Sequence, residues 1–274
     1  MRSIKRGSVS KYLIIIIMTA VICISGYNLW KMSERYVRES QIKNSVAKYR
    51  PEYVLNTLEQ PETINTEEMQ KNQFIIDLQN EINKDIVGWI TIPNTHIDYP
   101  FVQSSDNDYY LRRDLYGNYA LAGTIFMDYQ CSRDFTDFNT IIYGHNMKNN
   151  SMFGDLTLFA DNGFFDSTRT GVIFLENGTY ILEFFAYVIV NSDDKIIYNI
   201  KYNSSQRKQF FEYVKKNALN YTDELCSAGE SITEISISEK DIKDTNIATI
   251  VTISTCSYQF NGARSVLLAT IHPK

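Results

Sequence analysis

The rhythm of hydrophobic and polar positions changes twice along the chain. Tyr12–Trp30 carries no charge and holds the runs Leu13-Ile14-Ile15-Ile16-Ile17-Met18 and Val21-Ile22-Cys23-Ile24. As a helix rising about 1.5 Å per residue it is roughly 28 Å long, close to the hydrocarbon thickness of a bilayer, so residues 12–30 predict one transmembrane anchor. Residues 31–85 are instead rich in Glu, Lys, Gln and Asn, with Phe74, Ile75, Leu78 and Ile82 at helical intervals. They predict stalk and N-terminal helices, broken near Pro51 and Pro61, that lift the following domain off the membrane and pack on it.

From residue 86 short β-type runs take over: Ile86–Ile92, Ile97–Gln103, Thr124–Asp128, Thr140–Tyr143, Val172–Glu176, Thr179–Val190, Ala248–Thr255 and Ser265–Ile271. Asn177-Gly178 between two of them is a hairpin signal, because both residues tolerate a positive φ in a tight turn. Ser205–Asn220, with Phe210, Phe211, Val214 and Leu219, predicts a helix inserted before the last two strands. The expected fold is mainly β with peripheral helices, its eight strands closing into a barrel over residues 86–274.

Composition adds the setting. The chain has 274 residues, 44% hydrophobic and 22% charged, which fits a globular domain plus an appendage and excludes a disordered, collagen-like or multi-pass membrane protein. Residues 1–11 carry Arg2, Lys5, Arg6 and Lys11 and no acid, leaving 23 bases against 32 acids in the rest. A basic tip on an acidic body excludes nucleic acid as a partner, since phosphate recognition needs a basic face on the folded domain. The same tip before the apolar stretch places the N-terminus in the cytoplasm and everything after residue 30 outside, a single-pass arrangement with Trp30 at the outer interface. A cleaved signal peptide is disfavoured, because the apolar stretch is long and no small-x-small site closes it. A lipoprotein reading of Cys23 is weakened by the bulky Ile22 before it.

Three of the four cysteines, Cys131, Cys226 and Cys256, would then lie outside the cell, and an odd number cannot all pair within one chain. With no CxxC or CxxH spacing and three histidines in all, no metal and no cofactor is expected. Cys256 closes a run of alternating β-branched and apolar residues, where a sheet fixes the backbone and the sulfur can face a cleft; a buried apolar thiol is the equally open alternative. Eight residues on, Arg264 opens the next run, and a turn through Tyr258–Gly262 would set its fork of donors near the sulfur to hold an oxyanion or a substrate carbonyl. His145 leaves the run Thr140–Tyr143 through Gly144, in the way a thiol nucleophile's acid/base partner lies far off in sequence and near in space. His96, in a polar turn, and His272, near the end, read as solvated histidines. Cys131 and Cys226 are expected to be dispensable for catalysis.

Thr252-Ile-Ser-Thr-Cys256 followed by Arg264 resembles the T-L-x-T-C and downstream Arg signature of sortases, the cysteine transpeptidases that attach surface proteins to the Gram-positive cell wall. Tyr143-Gly-His-Asn-Met147 and Ser151-Met-Phe-Gly-Asp-Leu156 resemble the histidine region of the class B branch. Gly88-Trp89-Ile90, Asp106–Leu111 and Gly123–Tyr129 belong to the same likeness, which spans roughly residues 70–274. Ile253 stands where Leu is commoner, and Ser257 where some relatives carry an acid.

The resemblance implies an eight-stranded sortase barrel with Cys256 as nucleophile, His145 as general acid/base and Arg264 as oxyanion or substrate clamp. It further implies substrate contacts at Asn107 and Leu111, on a helix after the second strand, and at Ser254. Leu111 as core and Asn107 as a helix cap are the competing readings. The implied substrate is a surface protein ending in an Asn-Pro-x-Thr-like or Ser/Pro-Pro-x-Thr-like sorting signal, and the acceptor is the amine of a peptidoglycan precursor or wall peptide. A pilin-polymerising sortase and a non-catalytic, anchored barrel that binds wall peptides are the alternatives.

Overall fold

Arg6–Val46 is one continuous α-helix of 41 residues (α1), so the apolar stretch runs unbroken into the polar stretch after it. A 3-10 turn, Ala47–Tyr49, follows and stops at Arg50, whose extended ψ of 127° suits a residue preceding proline. The structure, a computed structural model, describes residues 6–51, 71–224, 249–256, 259 and 261–273, with the backbone alone for residues 6–10, 35 and 256. The break expected at Pro61, and Cys226, lie outside the described residues. The chain divides into two units, residues 1–45 and 46–274.

Within the second unit α2 (Gln73–Glu81) buries Ile75 and Leu78, the inward pair of the predicted helical face. Phe74 meets Phe174 edge-on, with ring centroids 5.6 Å apart. Among the described residues nine strands follow: β1 (Ile86–Thr91), β2 (Asp98–Val102), β3 (Phe126–Met127), β4 (Asn139–Tyr143), β5 (Thr170–Leu175), β6 (Gly178–Asn191), β7 (Ala218–Tyr221), β8 (Thr249–Cys256) and β9 (Ala263–Pro273). Their order is β5-β1-β2-β3-β4-β8-β9-β6-β7, and a further pairing of β5 with β6 closes eight of them into a barrel. The eight strands expected from the sequence are the eight of the barrel. Parallel pairs, β2 with β3 and β4 with β8, sit among antiparallel ones.

The long apolar runs arise because strands are covered on both faces. Along β9, Leu267 and Ala269 join the barrel interior with Phe101, Phe153, Phe184 and Ile253. The alternate residues Val266 and Leu268 face a second cluster outside, with Phe138, Phe185 and Ile250. That cluster is roofed by α4 (Ser204–Asn217), which buries Phe210, Phe211 and Val214, each worth about 1.5–3 kcal/mol in apolar burial. Asn203 and Gln206 close its N-terminus in a reciprocal capping box. Gly88 marks a close approach in the barrel wall: a Cβ there would lie 2.4 Å from the Phe174 carbonyl oxygen and 2.9 Å from the Phe101 ring.

Two expectations are corrected. The hairpin between β5 and β6 exists, but Leu175 pairs with Gly178, so its turn is Glu176-Asn177, one residue early, and neither Asn177 nor Gly178 has a positive φ. The side chain of Asn72 donates to the carbonyls of both Leu175 and Gly178, at 2.7 and 2.8 Å, and fastens that register from outside. The inserted helix ends at Asn217, not Asn220. Residues 218–221 instead add β7 to the edge of β6 that β5 leaves free, trading helical hydrogen bonds for a ladder and exposing Leu219.

Candidate active site

Three neighbouring strands run out at one end of the barrel. In the parallel pair β4–β8, Tyr143 lies opposite Ser254, and the N–H of Gly144 donates to the Ser254 carbonyl at 3.1 Å, carrying the pairing one residue past the strand. His145 therefore leaves β4 where Cys256 leaves β8. In the antiparallel pair β8–β9, Cys256 and Arg264 are directly opposite, and positions so opposed share one face of the sheet. The His145, Cys256 and Arg264 positions, remote in sequence, thus lie at adjacent ends of adjacent strands.

Gly144 is required where the chain turns into this end. A Cβ there would stand 2.6 Å from the ring of Phe153, a fully buried member of the interior cluster. The loop then folds back tightly, with the Phe153 N–H on the His145 carbonyl at 3.0 Å. The His145 ring is only partly covered, and its Nε2 lies 2.8 Å from the carbonyl oxygen of Leu111. A carbonyl can only accept, so Nε2 carries a proton in this contact and Nδ1 is the basic nitrogen of the neutral ring. Arg264 is half-buried, and its guanidinium donates to the Ala263 carbonyl at 3.1 Å.

One wall of this end is the segment after β2. Asp106 braces the approach to its 3-10 turn, Tyr110–Arg112, by accepting from the N–H groups of Asp108 and Tyr109 at 2.9 and 2.7 Å; the N-cap position is Tyr109, with no side-chain cap, so Asn107 is not a cap. Asn107 donates to the buried Asp128 at 2.8 Å and accepts from the N–H of Tyr129 at 3.0 Å. Tyr143 donates to the same Asp128 oxygen at 3.1 Å. Burial, and then the negative charge of Asp128, pushes the Tyr143 hydroxyl above the usual tyrosine range, so it remains a donor at neutral pH. Leu111 lies on this short turn, not on a regular helix, and its side chain is exposed and not core.

The stretch between β6 and α4 also borders this end. The Tyr198 hydroxyl is 2.8 Å from that of Ser254, and its ring stacks on Tyr143 with centroids 6.2 Å apart. Ser254 is almost fully buried, with its hydroxyl engaged by Tyr198. Tyr198 and Asp128 escape a reading of the sequence, since an aromatic in a polar loop and an acid after a short strand carry no periodic signal. Of the other histidines, His272 Nε2 is 3.0 Å from the Thr270 hydroxyl. His96 is exposed as expected but not merely solvated: its Nδ1 is 2.7 Å from the buried Asp155 carboxylate. Cys131 is a free, buried thiol pushed up to about 12 by burial, so it is not a thiolate at neutral pH.

The strand order, the closure through β5 and β6 and the helix inserted before the cysteine strand define a sortase barrel. A structure of sortase B from Bacillus anthracis in complex with AAEK1 matches 88% of this chain and 99% of its own, at 31% identity and a TM-score of 0.66. Sortase B of Listeria monocytogenes is 38% identical over 182 residues, a stretch covering 66% of this chain and 65% of the Listeria protein, just under two thirds of its length. A Streptococcus pyogenes class B sortase involved in pilus biogenesis is 27% identical, covering 72% of this chain and 97% of its own at a TM-score of 0.59. No family model matches the sequence. The chain belongs to the class B sortases, a family of cysteine transpeptidases.

Proposed function

We propose that the protein is a membrane-anchored transpeptidase that cleaves a C-terminal Asn-Pro-x-Thr-like, or Ser/Pro-Pro-x-Thr-like, sorting signal and joins the surface protein to a cell-wall peptide amine. The observation that carries this reading is the meeting of the His145, Cys256 and Arg264 positions at the ends of β4, β8 and β9. The Cys256 thiolate attacks the carbonyl carbon of the threonine, the C–N bond breaks, and His145 gives a proton to the departing amine, leaving a thioester. Arg264 holds the carbonyl oxygen as it gains charge. A second amine, from a peptidoglycan precursor or wall peptide, attacks the thioester, loses its proton to His145 and releases the thiolate. Asn107, Leu111 and Tyr198 line the groove that receives the signal, with the buried Ser254 behind Tyr198 as its hydroxyl partner.

Residues 12–30 serve as the anchor, with the N-terminus cytoplasmic and the barrel outside. Support comes from a helical stretch with mean hydropathy 2.1, none of it buried in the protein. Tyr27 and Trp30, with ring centroids 6.1 Å apart, and Lys31, 6.0 Å from the Tyr27 ring, suit the outer interface. A second reading, assembly of pilins, is favoured by the likeness to the S. pyogenes enzyme involved in pilus biogenesis, and it differs only in the acceptor, an amine of another pilin.

The test is mass spectrometry of the full chain in detergent, incubated with Asn-Pro-x-Thr and Ser-Pro-x-Thr peptides, with and without wall-peptide or pilin amines. A thioester on Cys256 is expected, absent from Cys256→Ala. In His145→Ala turnover should fall by about 10²–10⁴. No adduct with any peptide in folded protein would sink the catalytic reading and leave a peptide-binding barrel.

A further inference from the structure

Asn139, at the start of β4, is fully buried and lies six positions before His145, about 20 Å along the strand. Its carboxamide has a partner for each N–H and for its oxygen. The two N–H bonds run to the carbonyls of Ile197 and Asn199 at 2.9 and 2.7 Å, and Oδ1 accepts from the Thr252 hydroxyl at 2.6 Å. A flipped amide would set its oxygen against two carbonyl oxygens, so these partners decide its orientation. The two carbonyls flank Tyr198, the residue that reaches Ser254 with its hydroxyl and Tyr143 with its ring.

Four other backbone groups of this stretch are held within the loop and its exit. Asp194 accepts from the N–H groups of Ile196 and Ile197 at 2.9 and 2.8 Å through its side chain, and from that of Tyr198 at 3.1 Å through its carbonyl. Tyr202 donates to the Ile196 carbonyl. Asn139 differs from these braces in its origin: they come from the loop itself or its exit, whereas Asn139 belongs to the strand that delivers His145, and its partner Thr252 to the strand that delivers Cys256.

We infer that Asn139 is a positioning residue for the sorting-signal groove: it ties the Tyr198 wall to the two strands bearing the histidine and the cysteine, so that wall and reactive residues keep one spacing. This rests on the function proposed above. A wall held in place beforehand lowers the ordering cost of binding an extended peptide, and a shift of about 1 Å at such a wall can cost up to about 10²-fold in rate.

The test uses the full chain in detergent and the variant Asn139→Asp, which keeps the shape and the Thr252 acceptor and removes both donors. Amides of Ile196, Ile197 and Tyr198 should exchange at least about tenfold faster with solvent deuterium, while those of β8 and β9 stay unchanged. Peptide kcat/KM should fall about tenfold, through KM more than kcat, with Cys256 alkylation by iodoacetamide unaltered. In a Tyr198→Ala background the same substitution should cost less than about twofold, because its effect runs through Tyr198. An equal loss in both backgrounds, or unchanged exchange, overturns the inference. Should Asn139→Asp not fold, Thr252→Val, which removes only the donor to Oδ1, should give the same pattern at about two- to threefold, and its failure to do so counts equally against it. If the wild-type chain cleaves no peptide, the proposed function falls, and exchange alone then decides whether the clamp exists.

Discussion

Asp98 and Asp128 are both nearly buried carboxylates of one barrel, with opposite surroundings. Asp98 accepts from the Trp89 indole at 2.7 Å and the Thr91 hydroxyl at 2.9 Å, and its second oxygen pairs with the Arg50 guanidinium. Asp128 receives neutral donors: Asn107, Tyr143 and the N–H of Gln130 at 2.9 Å. The first carries a cation and fastens the stretch before Pro51 onto β1 and β2. The second orients the wall after β2 and the strand that runs into His145. Similar burial therefore serves cohesion at one place and alignment at the other, and the donors decide which.

The largest effect that would break this contrast lies at Asp98. Asp98→Ala strands the Trp89 N–H and frees Arg50, and should cost about 2–4 kcal/mol in denaturant unfolding, with kcat/KM per folded molecule within about twofold of wild type. A specific loss of activity there would erase the distinction. Asp128→Asn should do the reverse. Its amide keeps one acceptor oxygen for three donors, so at least one of them loses its acceptor, and stability falls by about 1–2 kcal/mol while peptide kcat/KM drops about tenfold.

An exposed pair sets the low end of the scale. Lys215 lies 2.6 Å from Asp223, and that hydrogen bond holds the Asp223 carboxyl below its usual range. Its contribution is present above the ordinary carboxylate value and fades as the pH falls through the depressed one. Because both side chains are well exposed, Asp223→Asn should cost about 0.5 kcal/mol or less at pH 7 and nothing at pH 2, read by thermal unfolding at the two pH values.

The eight barrel strands were legible in the sequence because strands buried on both faces read as continuous β-branched and apolar runs. The motifs around His145, Cys256 and Arg264 were legible because each sits just beyond such a run. β7 was not, since Ala218–Tyr221 continues the apolar spacing of the helix before it and becomes a strand only because β6 offers an unpaired edge. The hairpin turn fell one residue from its signal because Asn72, about a hundred residues away, holds the register.

By itself the sequence determined a long uncharged helix, a closed β domain and three residues of matching chemistry, all features written in local periodicity and residue type. Only the tertiary structure decided that β4 lies parallel beside β8 and that Cys256 faces Arg264 in register. It alone disclosed the work of Asn139, Asp128 and Tyr198. Hydrogen bonds between residues some 21 to 113 positions apart leave no period in the sequence, because their geometry exists only once the strands have paired.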